Sequence, residues 1–175
     1  MTLVLTKQHL SDMSAHAERV YPEECCGLIL GQLRSKVDPV QKQLVRLELL
    51  TNDWTEDVLE QTLEEDTLTK RRRYWIDPKE MLRVQREARD EGLNIIGVYH
   101  SHPDHVAVPS DCDRTLAWPD YAYVIVSVCN GKAVDVQNWA LDSDHQFQPE
   151  PMIVSPSLAT ESATESATDH TPVSA

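Results

Sequence analysis

Residues 97–113 read GVYHSHPDHVAVPSDCD: a short apolar run, then three histidines, three aspartates and two prolines. Extended back to Asn94, the run becomes NIIGVYH, which has the length and β-branched content of a buried strand. On a strand, residues i and i+2 share a face, so His100 and His102 project together from its end. Two imidazoles placed this way can share one metal ion. Zinc binds nitrogen at about 2.0–2.1 Å and prefers four tetrahedral ligands, so further donors are required. The nearest carboxylates are Asp104, Asp111 and Asp113. Asp104 follows Pro103 in the turn and is expected to swing away from the strand axis. Asp111 and Asp113 fall in the first turn of a short helix capped by Ser110, which can fold back over the strand end. Spacing alone leaves the choice among them open. A structural reading stands beside the chemical one, because Ser110 with Asp113 three residues on resembles a capping box. His105 suits a solvated turn, and His9, His16, His145 and His170 carry no local signal.

Working outward, the preceding stretch RRRYWIDPKEMLRVQREARDEGL predicts a helix. Asp77 suits its N-cap, Pro78 its first position and Gly92 its C′ position, with Met81, Leu82, Gln85 and Ala88 continuing it. Upstream, Leu10, Met13, Ala17 and Val20 fall at helical spacing over residues 6–20. CGLILG reads as a buried strand, and residues 40–50 as a strand with a partly solvated face. Residues 54–69 form an acidic excursion with weak helical periodicity around Val58, Leu59, Leu63 and Leu68. Downstream, YAYVIVSV is strongly β-prone, Asn130-Gly131 is a hairpin turn and KAVDVQNWAL its partner strand. FQPEPMIV is expected to add one last edge strand, its prolines excluding it from a sheet centre. Strands alternating with helices indicate a single α/β domain over residues 1–154. Residues 155–175 repeat Ala-Thr-Glu-Ser with almost no large apolar side chains, and are expected to form a disordered tail.

The chain has 175 residues and a formal net charge of -13. A surface this acidic repels phosphates, so no nucleic-acid partner is expected. No apolar run is long enough to span a bilayer, and MTLVLTKQHL lacks the hydrophobic region of a signal peptide, so no membrane association and a cytoplasmic location are expected. No CxxC pair occurs among Cys25, Cys26, Cys112 and Cys129, and all four read as small buried hydrophobes. Adjacent Cys25 and Cys26 would face opposite sides of a strand. The basic run Lys70–Arg73 could dock an acidic partner, or simply be solvated.

HSHPDHVAVPSDCD resembles the signature of the JAMM (MPN-plus) zinc metalloproteases: His-x-His-Pro, then Ser, then Asp three residues later. YPEECCGLILG resembles the Pro-x-Glu-x-Cys-Gly strand of that family, and YWIDP and YAYVIVSV resemble its flanking elements. The resemblance implies a single JAB/MPN domain, an α/β fold whose mixed sheet is flanked by helices in cytidine-deaminase-like layers. It implies one Zn2+ per chain held by His100, His102 and Asp113, with Glu24 as the catalytic glutamate, Glu23 at a variable position, and Ser110 as the serine that helps stabilise the oxyanion. Compact members of this kind act on ubiquitin-like or sulfur-carrier proteins, which are therefore the expected substrate partners. The chemistry agrees with the resemblance. Two histidines and an aspartate leave a fourth position open for water, as in catalytic rather than structural zinc sites.

The resulting expectation is a zinc-dependent metallopeptidase or isopeptidase cutting an amide bond at the C-terminus of such a carrier. The alternative is a non-catalytic MPN-type interaction module, although such modules usually lack the ligands that this chain keeps. An HxH amidohydrolase needs a (β/α)₈ barrel of typically about 250 residues, longer than this chain. A zinc deaminase needs Pro-Cys-x-x-Cys, which is absent.

Overall fold

The computed structural model describes residues 1–55 and 70–156. Most of the acidic excursion and of the expected tail therefore lies outside the described residues. The chain opens with strand β1 (Thr2–Thr6), helix α1 (Lys7–Val20), and the antiparallel strands β2 (Cys26–Arg34) and β3 (Gln41–Leu50). Helix α2 (Pro78–Asp90) and strand β4 (Asn94–Pro103) follow, then the short helix α3 (Asp111–Leu116). Strands β5 (Ala122–Cys129), β6 (Lys132–Leu141), β7 (Phe147–Pro149) and β8 (Met152–Ser155) complete one mixed eight-stranded sheet, in the order β7-β6-β5-β4-β2-β3-β1-β8. No helix among the described residues is long and apolar enough to cross a membrane.

Alternation along the strands divides the core between two faces. On one, α1 buries Met13 and Ala17 against Leu3, Leu5, Ile29, Leu44, Tyr99 and Val124. On the other, α2 buries Val84 and Ala88 against Leu28, Leu30, Leu93 and Val98. Cys25 belongs to the first cluster and Cys26 to the second, as period-two geometry requires. Gly27 is tied to this packing, because a Cβ there would run into the Tyr99 ring and the Glu48 carbonyl.

Several expectations need correction. FQPEPMIV makes two strands, and they occupy opposite edges: β7 pairs with β6 and β8 runs parallel to β1. Only Glu150 and Pro151 join them, so the sheet curls until its edges nearly meet. At that seam the buried Lys42 ammonium lies 3.1 Å from the Glu150 carboxylate, which also accepts from Asn138 Nδ2 at 2.9 Å. Strand β8 runs to Ser155, one residue into the stretch read as tail. β1 was not foreseen; five residues with no turn signal before them give periodicity little to act on. α2 does carry Met81, Leu82, Gln85 and Ala88 as expected, and its buried residues are Val84 and Ala88. Of the cysteines, Cys129 is exposed and Cys112 only half-buried. His16, which carried no signal, is a core residue whose Nδ1 lies 2.8 Å from the Tyr99 hydroxyl.

Candidate metal centre and active site

Strand β4 is central, with β2 antiparallel on one side and β5 parallel on the other. Its C-terminal end therefore emerges from the buried part of the sheet, and the donor atoms there are desolvated. His100 is fully buried and His102 nearly so. Their Nε2 atoms lie 3.0 Å apart. Helix α3 folds back over this end and delivers Asp113, whose Oδ1 lies 3.3 Å from His100 Nε2 and whose Oδ2 lies 3.7 Å from His102 Nε2. Of the three aspartates, Asp113 is the one beside the two histidines. Asp104 has swung away, accepting hydrogen bonds from the Tyr21 hydroxyl and the Asn130 N–H, and Asp111 pairs with Arg114.

These spacings fit a small tetrahedral ion. Bonds of about 2.0–2.1 Å place ligand atoms roughly 3.3–3.4 Å apart, close to the 3.0 Å between the two Nε2 atoms and the 3.3 Å from His100 Nε2 to Asp113 Oδ1, and one donor atom from each of the three residues lies within 4.8 Å of the others. The tautomer of His102 fits too. Its Nδ1–H donates to the Val106 carbonyl at 2.9 Å, which leaves the Nε2 lone pair directed at His100 and Asp113. The loop carrying Val106 is itself fastened. The Ser127 hydroxyl donates to the His105 carbonyl, and the Trp139 indole N–H to that of Ala107. The Tyr74 ring stacks on His100 with centroids 4.6 Å apart. Burial lowers the His100 pKa against the pull of Asp113 and favours the neutral imidazole that a metal requires. Burial opposes ionisation of Asp113, but its interaction with His100 and the hydrogen bond from Ser110 outweigh it and hold the carboxyl well below its usual range.

Glu24 reaches the same place from the neighbouring strand. The antiparallel register pairs Cys26 with His100, and the Ser101 N–H donates to the Cys25 carbonyl. Carried two residues beyond Cys26, that register sets Glu24 opposite His102, on the same face. Glu24 is buried while Glu23 is exposed. Burial, with a further push from the Asp113 charge, raises the Glu24 pKa well above the usual carboxylate value, while Arg73 and Arg72 pull it the other way. Ser110 caps α3 in a full capping box. Its Oγ accepts from the Asp113 N–H at 3.2 Å and donates to Asp113 Oδ2 at 2.7 Å, so the structural reading of this pair is realised.

Glu24, His102, Ser110 and Asp113 line one cavity of about 300 Å³, with Tyr74, Arg72 and Arg73 on its walls. The basic run is thus divided between jobs. Lys70 donates to the Asn52 carbonyl, Arg73 is buried with its guanidinium on Cys112 Sγ, and Arg72 stands at the cavity wall. A larger apolar groove of about 470 Å³ adjoins, lined by Trp75, Met81, Leu82 and Trp118 and sharing Tyr74 and Leu116 with the first. Tyr74 and the Val106 carbonyl were missed by the sequence reading, since neither a tyrosine in a loop nor a main-chain oxygen has a signature of its own.

Known proteins resemble this chain in sequence and in fold. The profile described as prokaryotic homologs of the JAB domain matches residues 6–142. The chain belongs to this family. It is 32% identical over 126 residues to the CysO-cysteine peptidase of Mycobacterium tuberculosis, a match covering 71% of this chain and 73% of that protein. Over 55 residues it is 42% identical to the desampylase of Haloferax volcanii, covering 31% of this chain and only 40% of the desampylase. The solution structure of DSY2949 from Desulfitobacterium hafniense superposes with a TM-score of 0.70 at 27% identity, covering 91% of this chain and 97% of that one. A Salinibacter ruber protein gives a TM-score of 0.61 at 30% identity, over 95% of each chain. Membership of the JAB family accounts for the single curled mixed sheet. Peptidase names recur among the relatives of this chain.

Proposed function

We infer that this protein is a zinc-dependent peptidase or isopeptidase that hydrolyses an amide bond at the C-terminus of a ubiquitin-like or sulfur-carrier protein. The observation that carries this reading is the convergence of donor atoms of His100, His102 and Asp113 within 4.8 Å of one another, with the buried Glu24 carboxyl in the same cavity as His102 and Asp113. The substrate class follows relatives named for peptidase action on CysO-cysteine and for desampylation. A polypeptide tail also suits the apolar groove beside the cavity.

When bound, zinc supplies a Lewis acid that lowers the pKa of a coordinated water and polarises the scissile carbonyl. The protein supplies the rest. His102, fixed by Val106, and His100, held under Tyr74, keep two neutral nitrogens aimed at one point, and Asp113 contributes the anionic oxygen. Glu24 accepts the proton of the attacking water at its carboxylate and returns it to the leaving amine. Ser110 donates to the developing oxyanion, for which its hydroxyl turns from Asp113 Oδ2 towards the substrate.

Zinc-loaded protein incubated with carriers bearing a C-terminal cysteine or a lysine-linked adduct should release the adduct, read by intact mass. Full activity after verified metal removal would sink the mechanism. Metal-replete protein that binds carriers without cutting any of them would favour the interaction module.

A further inference from the structure

Asn52 lies just past the end of β3 and is buried. A carboxamide has two N–H donors and two acceptor lone pairs. Here all four meet main chain. Nδ2 donates to the carbonyls of Glu24 at 3.0 Å and Arg73 at 2.9 Å, while Oδ1 accepts from the N–H groups of Trp54 and Trp75, each at 3.1 Å. Further bonds close the same unit. The Glu24 N–H donates to the Lys70 carbonyl at 2.8 Å, the Asp53 N–H to the Trp75 carbonyl at 3.0 Å, and Lys70 Nζ to the Asn52 carbonyl at 2.8 Å.

The position of Glu24 makes this unit consequential. Strand β2 begins at Cys26, so Glu24 precedes the regular ladder that would otherwise hold it. Both of its main-chain groups are instead held by the 52–54 and 70–75 segments. Tyr74, the ring stacked on His100, sits between the two residues whose main chain Asn52 binds. We propose that Asn52 is a positioning residue for the reaction. Through main chain alone, it sets where the Glu24 carboxyl and the Tyr74 ring stand relative to the metal ligands. The proposal rests on the reading of Glu24 as the proton carrier. Proton transfer needs heavy atoms within about 2.6–3.2 Å, and a displacement of about 1 Å can cost on the order of 10²-fold in rate. No apolar side chain of the same size could replace Asn52, because it would leave four main-chain groups buried without partners.

Asn52→Asp tests the donor side with almost no change of volume: it keeps the two acceptor contacts and loses both donations. It should lower kcat roughly 10- to 100-fold with KM within about twofold, and leave zinc content unchanged. The deciding readout is the same change made in Glu24→Gln, followed by single-turnover kinetics. A residue that acts through Glu24 should then cost less than about threefold. Wild-type turnover in Asn52→Asp, or equal losses in both backgrounds, overturns the proposal, the second result being what general structural damage produces. If Asn52→Asp does not accumulate as folded protein, Lys70→Met removes only the outer bond to the Asn52 carbonyl. It should lower kcat about two- to tenfold, again only when Glu24 is present, and an unchanged kcat counts against the proposal. Failure of the underlying reading looks different. Glu24→Gln alone would then turn over like wild type, before Asn52 is changed at all.

Discussion

Two buried polar clusters, one at the seam of the sheet and one at the end of β4, show opposite ways of handling charge. At the seam, Lys42 and Glu150 meet as a full ion pair, and Asn138 donates to the same carboxylate. Every charge there has its opposite within reach, as a purely structural cluster requires. At the end of β4, two imidazole nitrogens face each other and an aspartate at 3.0–3.7 Å, His100 Nδ1 is buried without a hydrogen-bond partner among the described residues, and burial raises the pKa of a second carboxyl beside them. In the proposed function a cation completes that cluster. Convergence of metal-binding donors, rather than an orphaned polar atom, separates the two clusters, since Asn138 Oδ1 at the seam is also buried with no hydrogen-bond partner among the described residues.

The comparison breaks most sharply at His102. His102→Ala removes a ligand from the cluster at the end of β4, and should reduce zinc from one equivalent per chain to near none and abolish turnover, measured by elemental analysis and adduct release. A variant that keeps its zinc and its rate would place the metal elsewhere. At the seam the expectation reverses. Lys42→Met leaves the Glu150 carboxylate buried and unpaired, and should lower unfolding free energy by about 3–5 kcal/mol in denaturant titration. Zinc content and the turnover of the folded fraction should stay as they are. Neutralising the stranded charge in Lys42→Met/Glu150→Gln should recover part of that loss.

A smaller effect sharpens the comparison with a third buried polar group. His16 lies in the core against Tyr99, and burial lowers its pKa to about 4, from 6.5 in the unfolded chain. The unfolded chain therefore binds the proton first as pH falls, so the His16 contribution to stability is complete above about pH 6.5. It declines as pH falls towards 4 and changes no further below that. His16→Gln should flatten this part of the stability profile, as followed by thermal melts across that range. An unchanged slope would assign it to other groups.

What could be read in advance was local. The Asp77-Pro78 start and Gly92 end of α2, the Asn130-Gly131 hairpin and the paired histidines each depend on neighbours a few residues apart. The burial of Glu24 and exposure of Glu23 agree with the expectation, although both residues lie in the turn before β2 and not on the strand itself. What stayed hidden depends on distant partners. Lys42 sits on a strand read as partly solvated, and nothing near it announces a partner 108 residues away. The split of FQPEPMIV between two edges follows from closure of the sheet, which no window of sequence contains. Asn52 is one polar residue in a loop, and its four main-chain contacts exist only once three segments have met. The choice of Asp113 over Asp111 likewise required the turn of α3 over the strand end.

The most direct test of the account sets the two adjacent glutamates against each other. Zinc content and turnover are measured side by side for Glu24→Gln and Glu23→Gln, each against wild type. Glu24→Gln should keep its fold and its one equivalent of zinc while losing roughly 10²–10⁴-fold in turnover, the usual worth of a general acid–base group, and Glu23→Gln should behave as wild type. Turnover retained in Glu24→Gln with zinc in place would contradict the account.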